Sequence, residues 1–227
     1  MLKIDFHTHT AEDPQDRIAY TARDLIDRAA KQGFDALAVA NHNRITYGDD
    51  LRAYAEKRGV LLLPGVEITA DRCHVLVINP RFPVGPGIRY RLADLPRLKT
   101  AGSLFIAPHP FFVIFQSLGG RLRPLLPFFD AIEYASYHNR LVNFNARAVR
   151  LAAETGKPLV GTSDCHTAWQ FGRTYSLVDA DKDLDSIIAA VKASRLEYRT
   201  RPVSLWAMGR IVASLFSFRK IKRLFER

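Results

Sequence analysis

The residues of this chain that could do chemistry are its seven histidines and a few acids near them. His7 and His9 form an HxH pair, His42, His74, His109 and His138 follow singly, and Asp164 and His166 form a DxH. Apart from His74, which opens a strand pattern, each histidine stands at or just after the C-terminal end of a predicted strand. Glu67, in Gly65-Val66-Glu67, and Asp164 occupy the same kind of position. Neutral imidazoles with a few carboxylates suit Zn, Mn or Fe, and a carboxylate can bridge two ions. Sites with several such ions hydrolyse phosphate esters by generating hydroxide and clamping the phosphoryl oxygens. A single histidine more often caps or packs, so the joint pattern carries this reading. His138, in Tyr137-His138-Asn139, could equally start a helix. His74 could orient a ligand instead of being one.

The elements that must position these groups alternate along the chain. Strand patterns fall at 2–8, 35–40, 60–67, 74–78, 103–107, 130–135, 158–162 and 174–178, and helical patterns at 21–32, 49–58, 91–101, 139–155 and 183–194. Gly33, Gly59, Gly102 and Gly156 each follow a helical pattern, where a left-handed residue ends a helix. Such alternation predicts a parallel sheet closed into a (β/α) barrel, whose sites lie at the strand C-termini. An open doubly wound sheet is the alternative, but no GxGxxG or GxxxxGK[ST] follows any strand. Within residues 2–9, Leu2, Ile4 and Phe6 alternate with Lys3, Asp5, His7 and His9. The period of two predicts that Asp5, His7 and His9 point together into the barrel, with the apolar set outward under helices.

In order along the chain, Asp5-Phe6-His7-Thr8-His9-Thr10, Val39-Ala40-Asn41-His42-Asn43, Gly65-Val66-Glu67-Ile68-Thr69, Cys73-His74-Val75-Leu76, Ala107-Pro108-His109-Pro110 and Gly161-Thr162-Ser163-Asp164-Cys165-His166 resemble the motifs of the PHP (polymerase and histidinol phosphatase) domain. Ile132-Glu133 followed by His138 resembles a segment of that family that carries a ligand. The resemblance spans residues 2–178. It implies a distorted (β/α)7 TIM-like barrel with two or three divalent ions, and phosphoesterase activity by attack of a metal-bound hydroxide on phosphorus. Carried over by position, the ligands are His7, His9, His42, Glu67, His109, His138, Asp164 and His166. Glu67 becomes the bridging carboxylate, and Glu67, His109 and Asp164 become the catalytic set. Arg44, Arg140 and Arg173, each near a strand end, are candidate phosphate forks; the alternative is solvated surface arginines. Asn41 stands where the family usually has Asp, which removes a charge near the cluster. Glu12-Asp13-Pro14 replaces the usual Ser-Asp-Gly, leaving Asp13 in reach of a metal.

Composition narrows the remaining choices. At 227 residues, 48% hydrophobic, with two cysteines, the chain suits one globular domain and no disulfide framework, as expected of a cytoplasmic protein. The net charge of +10 is uneven: residues 195–227 hold nine Lys/Arg and two acids. A nearly neutral body favours a phosphatase for a small phosphomonoester over a nuclease acting on DNA or RNA ends. A metal-binding regulatory module without activity is a third reading. The stretch 111–129 reads as a packed crossover, with an apolar wall for substrate as the alternative. The chain divides into a hydrolase domain at 1–200 and a basic helical tail at 201–227. That tail either packs on the barrel or, through its cations and Trp206, Phe216, Phe218 and Phe225, meets an anionic membrane surface.

Overall fold

The computed structural model describes residues 1–112, 116–204, 206, 207 and 209. Its strands are β1 (Leu2–Thr8), β2 (Ala36–Val39), β3 (Leu61–Ala70), β4 (Cys73–Ile78), β5 (Leu104–Ala107), β6 (Ala131–Ala135), β7 (Leu159–Thr162), β8 (Thr174–Val178) and β9 (Leu196–Thr200). Its helices are α1 (Ala22–Lys31), α2 (Asp49–Glu56), the single turns α3 (Leu95–Leu98) and α4 (Leu122–Leu125), α5 (Ala146–Thr155) and α6 (Leu184–Lys192). Local chemistry sets several ends. Thr21 and Asp24 form a reciprocal capping box at the start of α1. Pro96 lacks an amide hydrogen and fits only a first turn, so α3 is much shorter than the 91–101 pattern. The helix read at 139–155 begins only at Ala146. Before it, Asn139 Oδ1 accepts from the Leu141 and Val142 amides and Asn143 Oδ1 from the Asn145 amide, which folds that stretch into turns.

The strands form one sheet in the order β7-β6-β5-β4-β3-β2-β1-β8-β9. It is not wholly parallel. β4 runs against both β3 and β5, and β8 against both β1 and β9. The sheet curls until β7 meets β1: Thr8 bridges Cys165, and the Asp164 amide donates to the His7 carbonyl at 2.9 Å. The result is a nearly closed, distorted barrel of the expected type. Gly161 permits the closure, since a Cβ there would lie 2.6 Å from Tyr198 Cβ and 2.8 Å from the Tyr175 carbonyl oxygen.

The expected orientation of β1 is reversed over its first half. Ile4 and Phe6 lie in the barrel interior with Ala36, Ala38, Leu63, Leu76 and Ile106, and α6 adds Ile187, Ile188 and Val191 to the same cluster. Asp5 is paired with Leu37, which packs outward against Leu25 and Ile26 of α1. The pairing register with β2 then slips between Asp5 and Thr8. This bulge puts one extra residue in β1, so His7 follows Phe6 onto the inner side. Asp5 does not join the histidines. Its Oδ1 accepts from the His7 and Ser163 amides, and burial raises its carboxyl to about 7.

Outside the barrel, α5 covers β3 to β6 in a second cluster that includes Leu118, Leu122, Leu126 and Phe129. The described part of 111–129 is therefore a packed crossover. Residues 113–115 lie outside the described residues. Beyond β9 the Arg201 amide donates to the Arg173 carbonyl and that of Val203 to the His138 carbonyl, so the chain still follows the barrel past residue 200. Most of the basic tail, 205, 208 and 210–227, lies outside the described residues. Among the described residues no helix is long and apolar enough to cross a membrane.

Candidate metal centre

Five histidines and two acids converge at the end of the barrel where β1, β2, β3, β5 and β7 terminate, all of them buried. Glu67 lies among them. Its Oε2 is 3.0 Å from His42 Nε2 and 3.5 Å from the Nε2 atoms of both His7 and His9. Its Oε1 is 2.9 Å from His74 Nδ1 and 3.1 Å from His109 Nε2. Asp164 Oδ1 faces the HxH pair from the other side, 3.5 Å from His7 Nε2 and 3.3 Å from His9 Nε2. Three groups have the spacing to hold an ion: His7, His9 and Asp164; His9, Asp13 and His42; and His42, Glu67 and His74.

The far sides of the rings are already bound. His7 Nδ1 donates to Glu133 Oε1 at 2.7 Å, and His9 and His42 donate through Nδ1 to Asp13 Oδ2 at 3.0 and 2.9 Å. Where Nδ1 alone carries the proton, each Nε2 can offer a lone pair to a cation, and the Nε2 atoms of His7 and His9 lie only 3.1 Å apart. Asp164 Oδ1 and His74 Nε2 are buried without a hydrogen bond. Such a concentration of lone pairs is costly to bury unless a cation accepts them, so the donor set fits divalent metal. Burial opposes charge on Glu67, but His7, His42 and His109 hold its carboxyl well below the usual range. At His74 burial outweighs Glu67 and lowers the imidazole to about 4, leaving it a neutral donor.

The backbone is unusual where the site needs it to be. His109, between two prolines, has φ 29°, and Asp164 has φ 44°, both in the left-handed region that side chains rarely adopt. Each is fixed by local bonds. The His109 amide donates to Glu133 Oε2 and Ser117 Oγ donates to the His109 carbonyl at 2.8 Å, while Tyr137 donates to Asp164 Oδ2 at 2.7 Å.

Not every residue singled out above arrives here. His138 is held elsewhere: its Nε2 is 2.6 Å from Thr200 Oγ1, its ring meets Tyr134 edge-on, and it belongs to none of the three groups. β9, which has no signature in the sequence reading, draws it away. His166 sits at the rim, with Nε2 3.2 Å from Asp16 Oδ2 and its ring 4.5 Å from that of His9. Asn41 accepts from the Thr10 amide and donates to the hydroxyls of Thr10 and Thr46, so its carboxamide braces two loops. Arg44 and Arg140 are exposed. Arg173 donates to the carbonyls of Trp169 and Pro202, which makes it a strap for the chain beyond β9 and not a free phosphate fork. Conversely, Glu133, Asp16 and Tyr137 were given no role from sequence. Only the fold shows which histidine each acid meets: Glu133 meets His7 and Asp16 meets His166. His74 reaches the centre because β4 is antiparallel, which brings the start of that strand to the end where β3 finishes.

A family model described as PHP-associated matches residues 142–196, which include Asp164 and His166. A two-domain protein from Bacteroides vulgatus that contains a predicted PHP-like metal-dependent phosphoesterase superposes with a TM-score of 0.70 over 88% of this chain, at 21% identity. The chain has the fold of a PHP domain. It spans 65% of that Bacteroides protein. An uncharacterized protein of Methanocaldococcus jannaschii is 27% identical over 60% of this chain and 84% of its own length. The lesion-specific endonuclease PfuEndoQ from Pyrococcus furiosus has the same fold, with a TM-score of 0.54 at 15% identity over 87% of this chain and 57% of the endonuclease.

Proposed function

We propose that this PHP chain is a metal-dependent phosphoesterase that hydrolyses a phosphomonoester. The observation that carries the reading is Glu67, whose two oxygens face separate histidine sets while Asp164 Oδ1 is left buried without a hydrogen bond. His7, His9 and Asp164 would hold one ion and His42, Glu67 and His74 another, with Glu67 between them and His109 beside its Oε1. Divalent ions bound there would supply a nucleophile at neutral pH and positive charge for the phosphoryl oxygens. The chain's own residues do the positioning. Glu133 and Asp13 fix the ring orientation of three histidines, and Tyr137 fixes Asp164. His166 and Asp16 sit at the rim, and the exposed Arg44 and Arg140, after the ends of β2 and β6, are candidate contacts for an anionic group.

The likeness to a lesion-specific endonuclease supports a second reading, cleavage of a nucleic-acid phosphodiester at the same centre. The deciding experiment is metal analysis of the purified chain, followed by assay on phosphomonoester and oligonucleotide panels before and after chelation. The reading expects two or three ions per chain, turnover of monoesters, and loss of that turnover in Asp164→Ala. Turnover that survives full metal removal would refute it, and turnover of oligonucleotides alone would replace it by the second reading.

A further inference from the structure

Beside the metal centre lies an open cleft of about 510 Å³, walled by the β3–β4 turn and the 88–91 segment. Its near side is Asn43 and Thr69. Asn43 Oδ1 accepts from the Thr69 amide at 2.9 Å and its Nδ2 donates to Thr69 Oγ1 at 3.1 Å. Both residues adjoin the proposed ligands: Asn43 follows His42, and Thr69 pairs with His74 across the sheet. Thr69 is also two residues beyond Glu67 on β3, so the cleft begins about 7 Å along the strand from that carboxylate. Its walls carry Arg72, Arg89 and Arg91 against one acid, Asp71. Asp71 Oδ2 already accepts from the Leu92 amide, and Arg91 lies 3.7 Å from Asp94. Arg72 and Arg89 have no ion-pair partner among the described residues.

Two uncommitted guanidinium groups over a cleft that adjoins a metal centre have one chemical use in common, which is to hold an oxyanion. We infer that this cleft binds a second phosphate of the substrate, on the β4 side of the one that is cleaved. The inference rests on the phosphoesterase reading and narrows it to substrates with two phosphates roughly 7–13 Å apart, two to four residue steps along β3. Both small bisphosphates and the end of a nucleic-acid strand carry phosphates at such spacings.

Alkane-α,ω-diphosphonates test this without turnover, because their carbon–phosphorus bonds resist phosphoester hydrolysis. Calorimetric titration of the metal-loaded chain should show the diphosphonates of four to six methylenes binding about tenfold or more tighter than the matching monophosphonate. The exposed double variant Arg72→Gln/Arg89→Gln should lose that preference while binding the monophosphonate as before. Equal affinity for both probes in the parent chain, or a preference that persists in the variant, would overturn the inference. A 5′-phosphorylated trinucleotide added as competitor separates the sources. Competition more potent than the diphosphonate's assigns the second phosphate to a strand, and weaker competition assigns it to a small bisphosphate. Failure of the phosphoesterase reading shows up differently, as absent turnover on every ester with the diphosphonate preference intact.

Discussion

Glu133 offers the sharpest test of how the centre is held. Its carboxylate is fully buried and accepts three hydrogen bonds: from His7 Nδ1 at 2.7 Å, from Thr162 Oγ1 at 2.5 Å, and from the His109 amide. Alanine at this position would strand three buried donors, at about 1–3 kcal/mol each. A loss of about 3–9 kcal/mol approaches the whole stability of a typical domain, about 5–15 kcal/mol, so Glu133→Ala would report mainly on folding. Glu133→Gln is the informative variant. It keeps the shape and one acceptor oxygen, but turns an NH₂ toward either the His7 and Thr162 side or the His109 amide. At least one donor is then opposed by a donor, which should cost about 1–3 kcal/mol, or roughly 2–12 °C in melting temperature for a chain of this size. Because His7 also loses its fixed tautomer or the backbone at His109 shifts, metal affinity should fall about 10–100-fold. Competition with a chromophoric chelator measures that affinity, and a thermal melt of the same sample shows that the chain remains folded. A folded Gln variant that binds metal within twofold of the parent would refute the idea that Glu133 orients the ligands.

His138→Ala should leave the number of bound ions unchanged by metal analysis, since His138 bonds Thr200 away from the centre; loss of an ion would restore it as a ligand. Asn41→Asp should leave metal affinity within about threefold, because the side chain braces Thr10 and Thr46, and a clear tightening would show that it faces the ions. Gly161→Ala should lower the melting temperature by several degrees, since overpacking typically costs about 1–3 kcal/mol and here the added carbon meets backbone as well as Tyr198; an unchanged melt would mean that β7 and β8 separate freely.

What the sequence determined by itself is local. The eight strands it marks are found within three residues of their positions, because burial on a pleated strand imposes a short apolar pattern that needs no partner to be read. The HxH, the DxH and the single histidines at strand ends were legible for the same reason: in a barrel one end collects the strand C-termini, whatever the details of closure. β9 left no such mark, since Leu196–Thr200 alternates between half-buried and exposed residues at the edge of the sheet.

Pairing and direction were decided only by the tertiary structure. A period of two predicts which residues of one strand share a face, but an extra residue in β1 between Asp5 and Thr8 breaks that rule, sending Ile4 and Phe6 inward and Asp5 out. The slip is a property of the β1–β2 ladder, and no residue in either strand announces it. The antiparallel pairing of β4 with β3 brings His74 to Glu67, and Thr200 of β9, 62 residues further along the chain, holds His138 away. The carboxylates that hold the rings follow the same logic. Glu133 is 126 residues from His7, and Asp13 is 29 from His42. Side-chain chemistry names the groups that can bind a metal, but the register and closure of the sheet determine which of them meet.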